Sequence, residues 1–178
     1  MNQQMTSRSR RSTRPLALVL TAALVILAAA CLPGADDQPK SGPGEGYGIL
    51  HAVRAANHTE ENGYDRVVFE FADQLPGWDV RYVPKPLVLS PSGQPAPLAG
   101  TEAIAVRLQP AADLYSGDAR AYQGPFIVDP GTPEVAQLRE LQDFEGVVTW
   151  AIGVNHHRAF RVSTLPNPPR LVIDIATS

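Results

Sequence analysis

Apolar and polar residues alternate along several short segments of the chain, and this alternation predicts strands that bury one face. A further strand is predicted over residues 49–55, and turns rich in Gly, Pro, Asn and Asp separate the segments. The pattern predicts an all-β fold, a two-sheet antiparallel β-sandwich with at most one short helix. The residues predicted to face inward are Val67, Phe69, Phe71, Trp78, Val80, Tyr82, Ile104, Val106, Leu108, Val148, Trp150, Ile152, Val154, Phe160, Val162, Leu171, Ile173 and Ile175.

The segment 133–144 allows two interpretations. Val135, Leu138 and Leu141 fall at helical spacing, and Pro133 is a residue typical of the first position of a helix. The local pattern therefore predicts a short helix over 134–142. A strand is the competing interpretation, because tertiary context can override a local pattern.

The amino terminus has the parts of a secretory signal peptide. Residues 1–14 are polar and basic, and an apolar core over 16–27 leads to the small residues before Cys31. The run Ala28-Ala29-Ala30-Cys31 resembles the lipobox of bacterial lipoproteins, in which the Cys is lipidated and becomes the first residue. We therefore predict a signal peptide over 1–30 and a lipid on Cys31 that holds the protein at the outer face of the cell membrane. An uncleaved membrane anchor and cleavage without a lipid are the alternatives.

The segment that follows changes composition to Pro, Gly, Asp, Ser and Lys, with no apolar periodicity. Such a composition is typical of a flexible tether, which we predict over residues 31–46. The fifteen residues that follow Cys31 in this tether would typically reach about 20 Å. The folded domain is predicted over residues 47–178.

Charge and cysteine content exclude several classes of protein. The first 30 residues hold four Arg and no acidic residue. Subtracting those four from the 15 basic residues leaves 11 against 18 acidic residues, a formal charge of −7 on the rest of the chain. This acidity argues against a nucleic-acid partner, which would require neutralisation of phosphates. One Cys in the chain excludes an internal disulfide and a Cys-cluster zinc site.

The residues that could carry catalysis or bind a metal lack the spacing that such sites require. His156 and His157 are adjacent in a predicted turn, and neighbouring residues of an extended chain point in opposite directions, so we predict no metal site. His51 shares a predicted strand face with Ile49 and Val53 and is interpreted as a half-buried core residue. No serine lies in a nucleophile elbow and no Gly-rich phosphate loop occurs, so neither an enzyme nor a cofactor is predicted.

The aromatic residues divide into two groups. Trp78 and Trp150 alternate with apolar neighbours and are predicted to pack in the core. Tyr115 and Tyr122 lie in the long segment 109–126 and are predicted as exposed ligand contacts.

The closing stretch, Phe160-Arg-Val-Ser-Thr-Leu-Pro-Asn-Pro-Pro-Arg-Leu-Val-Ile-Asp-Ile175, resembles the end of AMIN domains, where a Pro-rich turn precedes the last strand. The segments 63–71 and 143–153 are similar to the AMIN-like domain of actinobacterial lipoproteins. The resemblance implies a β-sandwich and a non-enzymatic role in the cell envelope. AMIN domains accompany cell-wall amidases and secretins and are associated with localisation and peptidoglycan binding. Within the closing motif, Arg170 and Asp174 are interpreted as a solvated or paired outward face.

These observations lead to one main functional hypothesis. We expect a membrane-tethered extracytoplasmic binding module that binds peptidoglycan or an envelope protein. A cell-wall-modifying hydrolase with an unrecognised site is one alternative. An assembly factor whose exposed sheet edge recruits a partner strand is the other.

Overall fold

The computed structural model describes residue 1, residues 32–112 and residues 117–178. Two sheets and one helical turn, Thr59–Asn62 (α1), make up the regular structure of these residues. In spatial order the six-stranded sheet contains β1 (Lys40–Gly42), β4 (Gly77–Val83), β5 (Glu102–Gln109), β9 (Val147–Val154), β8 (Val135–Phe144) and β7 (Ile127–Val128). The five-stranded sheet contains β10 (Phe160–Pro166), β11 (Pro169–Ala176), β3 (Tyr64–Phe71), β2 (Gly48–His58) and β6 (Ala111–Ala112). All pairings are antiparallel except that of β2 with β6.

The two sheets face each other across one hydrophobic core. Phe69 of the five-stranded sheet meets the edge of Trp150 of the six-stranded sheet, with ring centroids 6.3 Å apart. The inward residues predicted on β3, β5, β9 and β11 are buried in this core, because a strand with one covered face buries every second residue. The predicted β-sandwich is therefore confirmed.

The helix predicted over 134–142 is wrong, because these residues belong to strand β8. Two β-bulges, between Val135 and Gln137 and between Glu140 and Gln142, interrupt its pairing with β9. A bulge adds one residue and shifts the alternation, so the buried side chains of Val135 and Leu138 stand three residues apart. The bulges thus reproduce the spacing of a helix in an extended strand.

A third bulge overturns the interpretation of His51. It lies in β2 between Leu50 and Ala52, and it turns the imidazole out of the core. His51 is exposed, and its Nδ1 lies 2.6 Å from the carbonyl oxygen of Arg120. The half-buried core histidine predicted from the spacing is therefore wrong.

Asp174 faces outward from β11, and its carboxylate is paired, which is one of the two predicted states. Cross-strand register places it between Arg66 on β3 and Arg161 on β10. Arg66 Nε donates to Oδ1 and Arg161 Nη2 donates to Oδ2, each over 2.6 Å, and Asp174 is 1% exposed. Arg170, the other residue of this motif, is partly buried, and its Nε donates to the carbonyl oxygen of Pro168 over 3.2 Å.

The prediction of a flexible tether over 31–46 is wrong for residues 32–46, because this segment packs onto the domain. We call residues 32–48 the N-terminal strap. Leu32 is buried, and Asp36 and Phe160 exchange two backbone hydrogen bonds of 3.2 and 2.8 Å. Further along, β1 pairs with β4, and the Glu45 amide donates to the Leu75 carbonyl oxygen over 2.8 Å.

Glycine gives the N-terminal strap its close fit. A Cβ added to Gly42 would lie 2.5 Å from Cζ2 of Trp78, and one added to Gly44 would lie 2.5 Å from the Pro76 carbonyl carbon. Only glycine permits an approach this close, so the composition that suggested flexibility serves packing. Four glycines of the strap lie so close to the domain that a Cβ would clash with it. They occur at every second residue: Gly42, Gly44, Gly46 and Gly48.

The predicted signal peptide over 1–30 and the predicted lipid site Cys31 lie outside the described residues, apart from residue 1. Among the residues that the structure describes, no helix is both long and apolar enough to span a membrane.

Candidate binding groove

The predicted ligand contacts Tyr115 and Tyr122 have different outcomes. Tyr115 lies outside the described residues. Tyr122 is 5% exposed, so its predicted exposure is wrong. Its amide donates to the Leu50 carbonyl oxygen over 2.7 Å, and its ring meets the edge of Trp150 at 5.5 Å. The Tyr122 hydroxyl donates to the carbonyl oxygen of Pro125 over 2.8 Å, which supplies the partner that a buried phenol needs.

An open groove of about 720 Å³ lies beside the turn between β8 and β9. Residues 89–92 form one side of it and residues 140–146 form another, with Tyr47 and Ala112 completing the lining. The Ser90 amide donates to the Leu141 carbonyl oxygen over 2.8 Å and holds the two sides together. The groove therefore combines three parts of the chain that are distant in sequence.

Two aromatic side chains of the groove are exposed, Tyr47 by 48% and Phe144 by 45%. Tyr47 lies in the N-terminal strap between Gly46 and Gly48, both of which are pressed onto the domain. Phe144 is the last residue of β8 and pairs with Val147 across a two-residue turn. Exposed aromatic residues that are held by tight backbone structure lose little conformational entropy on binding, which suits them to a recognition site.

The turn that follows Phe144 fixes the backbone from which its ring projects. Glu145 and Gly146 have φ values of 51° and 76°, which are the left-handed conformations of a type I′ hairpin turn. The Gly146 carbonyl oxygen also accepts the amide of Ala111 over 2.9 Å. The hairpin end is thus fixed from both sides.

The groove is acidic. Glu140, Asp143 and Glu145 line it, and no Lys or Arg is among the lining residues that the structure describes. A cleft lined by one sign of charge raises the local concentration of ligands of the opposite sign. The polar side chains of Ser90, Ser92 and Gln142 add hydrogen-bonding capacity.

The predicted turn around His156 and His157 lies between β9 and β10. Nδ1 of His156 is 3.1 Å from Oε2 of the buried Glu134, and His157 stacks on Tyr82 with ring centroids 4.1 Å apart. Burial raises the pKa of the Tyr82 hydroxyl. Within residues 32–112 and 117–178, no three His, Cys, Asp or Glu side chains are grouped so that they could hold a metal ion.

A comparison with protein families decides where this sandwich belongs. The AMIN-like domain profile matches residues 48–177. The chain belongs to the AMIN-like domain family. AMIN-like domains are generally binding modules rather than enzymes, and they are typically extracytoplasmic. No curated protein and no solved structure shows significant similarity to the chain.

The AMIN-like match covers both the closing motif and most of the groove. The closing motif forms the β10–β11 hairpin, with its Pro-rich turn between Pro166 and Pro169. Phe144 lies inside the matched range, whereas Tyr47 precedes it by one residue. The sequence analysis identified neither ring as a contact. A signal was available, because Tyr47 lies between two glycines of the strap and Phe144 precedes a glycine-containing turn. An aromatic residue is not required at such positions to form a strand.

Proposed function

We propose that this AMIN-like protein is a membrane-tethered extracytoplasmic binding module that recognises peptidoglycan through the acidic groove. Its tether would be a lipid on Cys31. Family membership supports an envelope-associated binding role, and the groove supplies a surface for it.

The observation that carries the proposal is the pair of exposed rings, Tyr47 and Phe144, in one acidic groove. Peptidoglycan offers both complementary groups: the apolar faces of its sugar rings and the ammonium groups of its peptides. Aromatic rings present an apolar face to a sugar, and the carboxylates of Glu140, Asp143 and Glu145 attract an ammonium group.

The overall acidity of the domain predicts a preference within the wall. Anionic wall polymers repel a body of formal charge −7, whereas the amine-bearing peptides do not. We therefore expect stronger binding to peptidoglycan from which the anionic polymers have been extracted than to intact wall. Cosedimentation with both preparations would measure this difference, and equal binding would contradict the electrostatic argument.

Removing the two rings tests the groove. Tyr47→Ala combined with Phe144→Ala should weaken cosedimentation with extracted peptidoglycan at least about tenfold, since losing an aromatic anchor typically costs about 2 kcal/mol. The protein should begin at Leu32, because a later start would remove part of the N-terminal strap. Phe126→Ala is the matched control, since Phe126 is 39% exposed but does not line the groove.

Three outcomes of the cosedimentation experiment separate the alternatives. Loss of binding in the double variant with retention in the control supports the proposal. Equal binding of all variants rejects the groove as the wall-binding site. Release of soluble fragments from the wall on incubation would indicate the hydrolase instead.

The second candidate function is recruitment of a partner strand by β10, the edge strand of the five-stranded sheet. Among the described residues, Asp36 pairs with Phe160 at the start of β10, and no described strand pairs along the rest of its outer edge. In an edge strand, the backbone N–H and C=O groups of every second residue point away from the sheet. Phe160 directs its groups to Asp36, so those of Val162 and Thr164 point to the open edge, where a partner strand could pair. If Thr164→Pro abolishes envelope binding while the groove variant keeps it, the edge rather than the groove is the interaction site.

A further inference from the structure

We infer that the outer bilayer surface is a direct partner of the folded domain, which rests against it on the β10 side with no free spacer between. This inference rests on the proposed lipid on Cys31. It concerns the surface that the domain turns to the membrane, which is separate from the groove.

The packed part of the N-terminal strap reaches the residue next to Cys31. Leu32, the residue after Cys31, is buried, and its carbonyl oxygen accepts the Ala35 amide over 3.1 Å. Successive Cα atoms of a chain are about 3.8 Å apart. An acyl group on Cys31 therefore starts within one residue of the docked chain, whereas the fifteen-residue tether expected from composition would have reached about 20 Å.

The same end of the strap is attached to strand β10. The Pro33 carbonyl oxygen accepts Arg161 Nη1 over 3.4 Å, and Asp36 pairs with Phe160. Both partners open strand β10. The end of the strap nearest Cys31 is thus held against β10, at the edge of the five-stranded sheet.

The outer face beside this attachment combines basic, polar and apolar side chains. We define the β10 margin as Arg161, Ser163, Leu165 and Arg170. Strand register places Leu165 of β10 directly opposite Arg170 of β11. Arg161 lies four residues before Leu165 along β10. All four side chains of the margin are on the outer face of the sheet. Leu165 is 40% exposed. Arg161 is engaged with Asp174, so Leu165 and the guanidinium group of Arg170 opposite it form the part of the margin that suits the boundary of acyl chains and anionic headgroups.

This orientation leaves the groove available to ligand. None of the residues that line the groove belongs to β10 or β11. A domain that contacts the membrane through the β10 margin can therefore bind the wall through the groove at the same time.

The inference is tested with the full chain, expressed with its leader and reconstituted into vesicles of phosphatidylcholine and phosphatidylglycerol. Ser163→Cys and Ser92→Cys each introduce one exposed thiol for a fluorophore, the first on the β10 margin and the second beside the groove. A quencher carried on a lipid headgroup should quench the fluorophore at position 163 severalfold more than that at position 92. Equal quenching, or the reverse order, would overturn the orientation.

A spacer variant tests the absence of free chain. Inserting about ten Gly and Ser residues between Cys31 and Leu32 would give a reach of about 18 Å. Quenching at position 163 should then fall toward the value at position 92. Unchanged quenching would show that docking of Leu32 does not set the orientation, and the inference would fail.

Failure of the lipid anchor can be distinguished from failure of the orientation. If Cys31 is not lipidated, the parent chain takes up fluorophore on its own thiol, whether or not an uncleaved leader keeps it on the vesicles, and both the lipid anchor and this inference are rejected. Flotation of unlabelled parent chain with equal quenching at the two positions rejects the orientation alone.

Discussion

Replacing Asp174 with alanine should lower the free energy of unfolding by about 3 kcal/mol, the typical cost of removing one partner of a buried ion pair. Asp174 is buried and binds both Arg66 and Arg161. Without the carboxylate, two guanidinium groups face each other across β11 with no negative charge between them. Urea denaturation of the variant and the parent protein measures the difference.

Glu70→Ala is the matched control for Asp174. Glu70 pairs with Arg54 on the same outer face, but that pair includes an arginine that is largely exposed. Exposed pairs contribute only about 0–1 kcal/mol. Equal losses in the two variants would contradict a special role for the Asp174 cluster.

The same cluster predicts a response to pH. Burial by itself would raise the pKa of Asp174, but hydrogen bonds from Arg66 and Arg161 outweigh it and hold the pKa below its ordinary value. A lowered folded-state pKa gives stability that is fully present above the unfolded-state value near 4 and is lost as the pH falls through the folded-state pKa. As the pH falls below about 4, the parent protein should therefore lose more stability than Asp174→Asn, measured as the urea midpoint.

Replacing Gly44 with alanine should loosen the N-terminal strap and cost about 1–3 kcal/mol, the usual penalty for overpacking. The added Cβ would meet the backbone of Pro76 and Gly77, which cannot rotate away as a side chain can. Amides of β1 should then exchange with solvent much faster than in the parent protein. Hydrogen exchange followed by mass spectrometry resolves this segment.

Glu45→Ala is the control for the strap variant, since its side chain is exposed and only its backbone is bonded to Leu75. It should leave exchange in β1 unchanged. Parent-like exchange in Gly44→Ala would mean that the N-terminal strap does not depend on the close approach at this position.

The sequence predicted the sandwich because most strands bury one face and therefore keep a strict alternation. It failed where a bulge shifts that alternation: β8 acquired the spacing of a helix, and His51 moved to the surface. Local spacing contains no information on a bulge, which depends on the pairing of two strands.

The N-terminal strap was missed because Gly-rich composition usually indicates a flexible chain. The spacing of Gly42, Gly44, Gly46 and Gly48 at every second residue is the signal that could have revealed one face pressed onto the domain.

The groove could not be predicted from the sequence. Its lining combines Tyr47 with residues 89–92 and 140–146, and only the sheet topology brings these segments together. The sequence favours Tyr122 as a contact because it lies in a long segment without strand pattern, but the fold buries its ring beside Trp150.

The most direct test of wall recognition is to titrate soluble peptidoglycan fragments into the isotope-labelled protein and to follow its backbone amides by NMR. The groove account predicts shifts that saturate together and concentrate at Tyr47, residues 89–92 and residues 140–146. The amides of the β10 margin should remain unshifted. Saturable shifts centred elsewhere, or no shifts at fragment concentrations that displace the protein from sedimented wall, would contradict it.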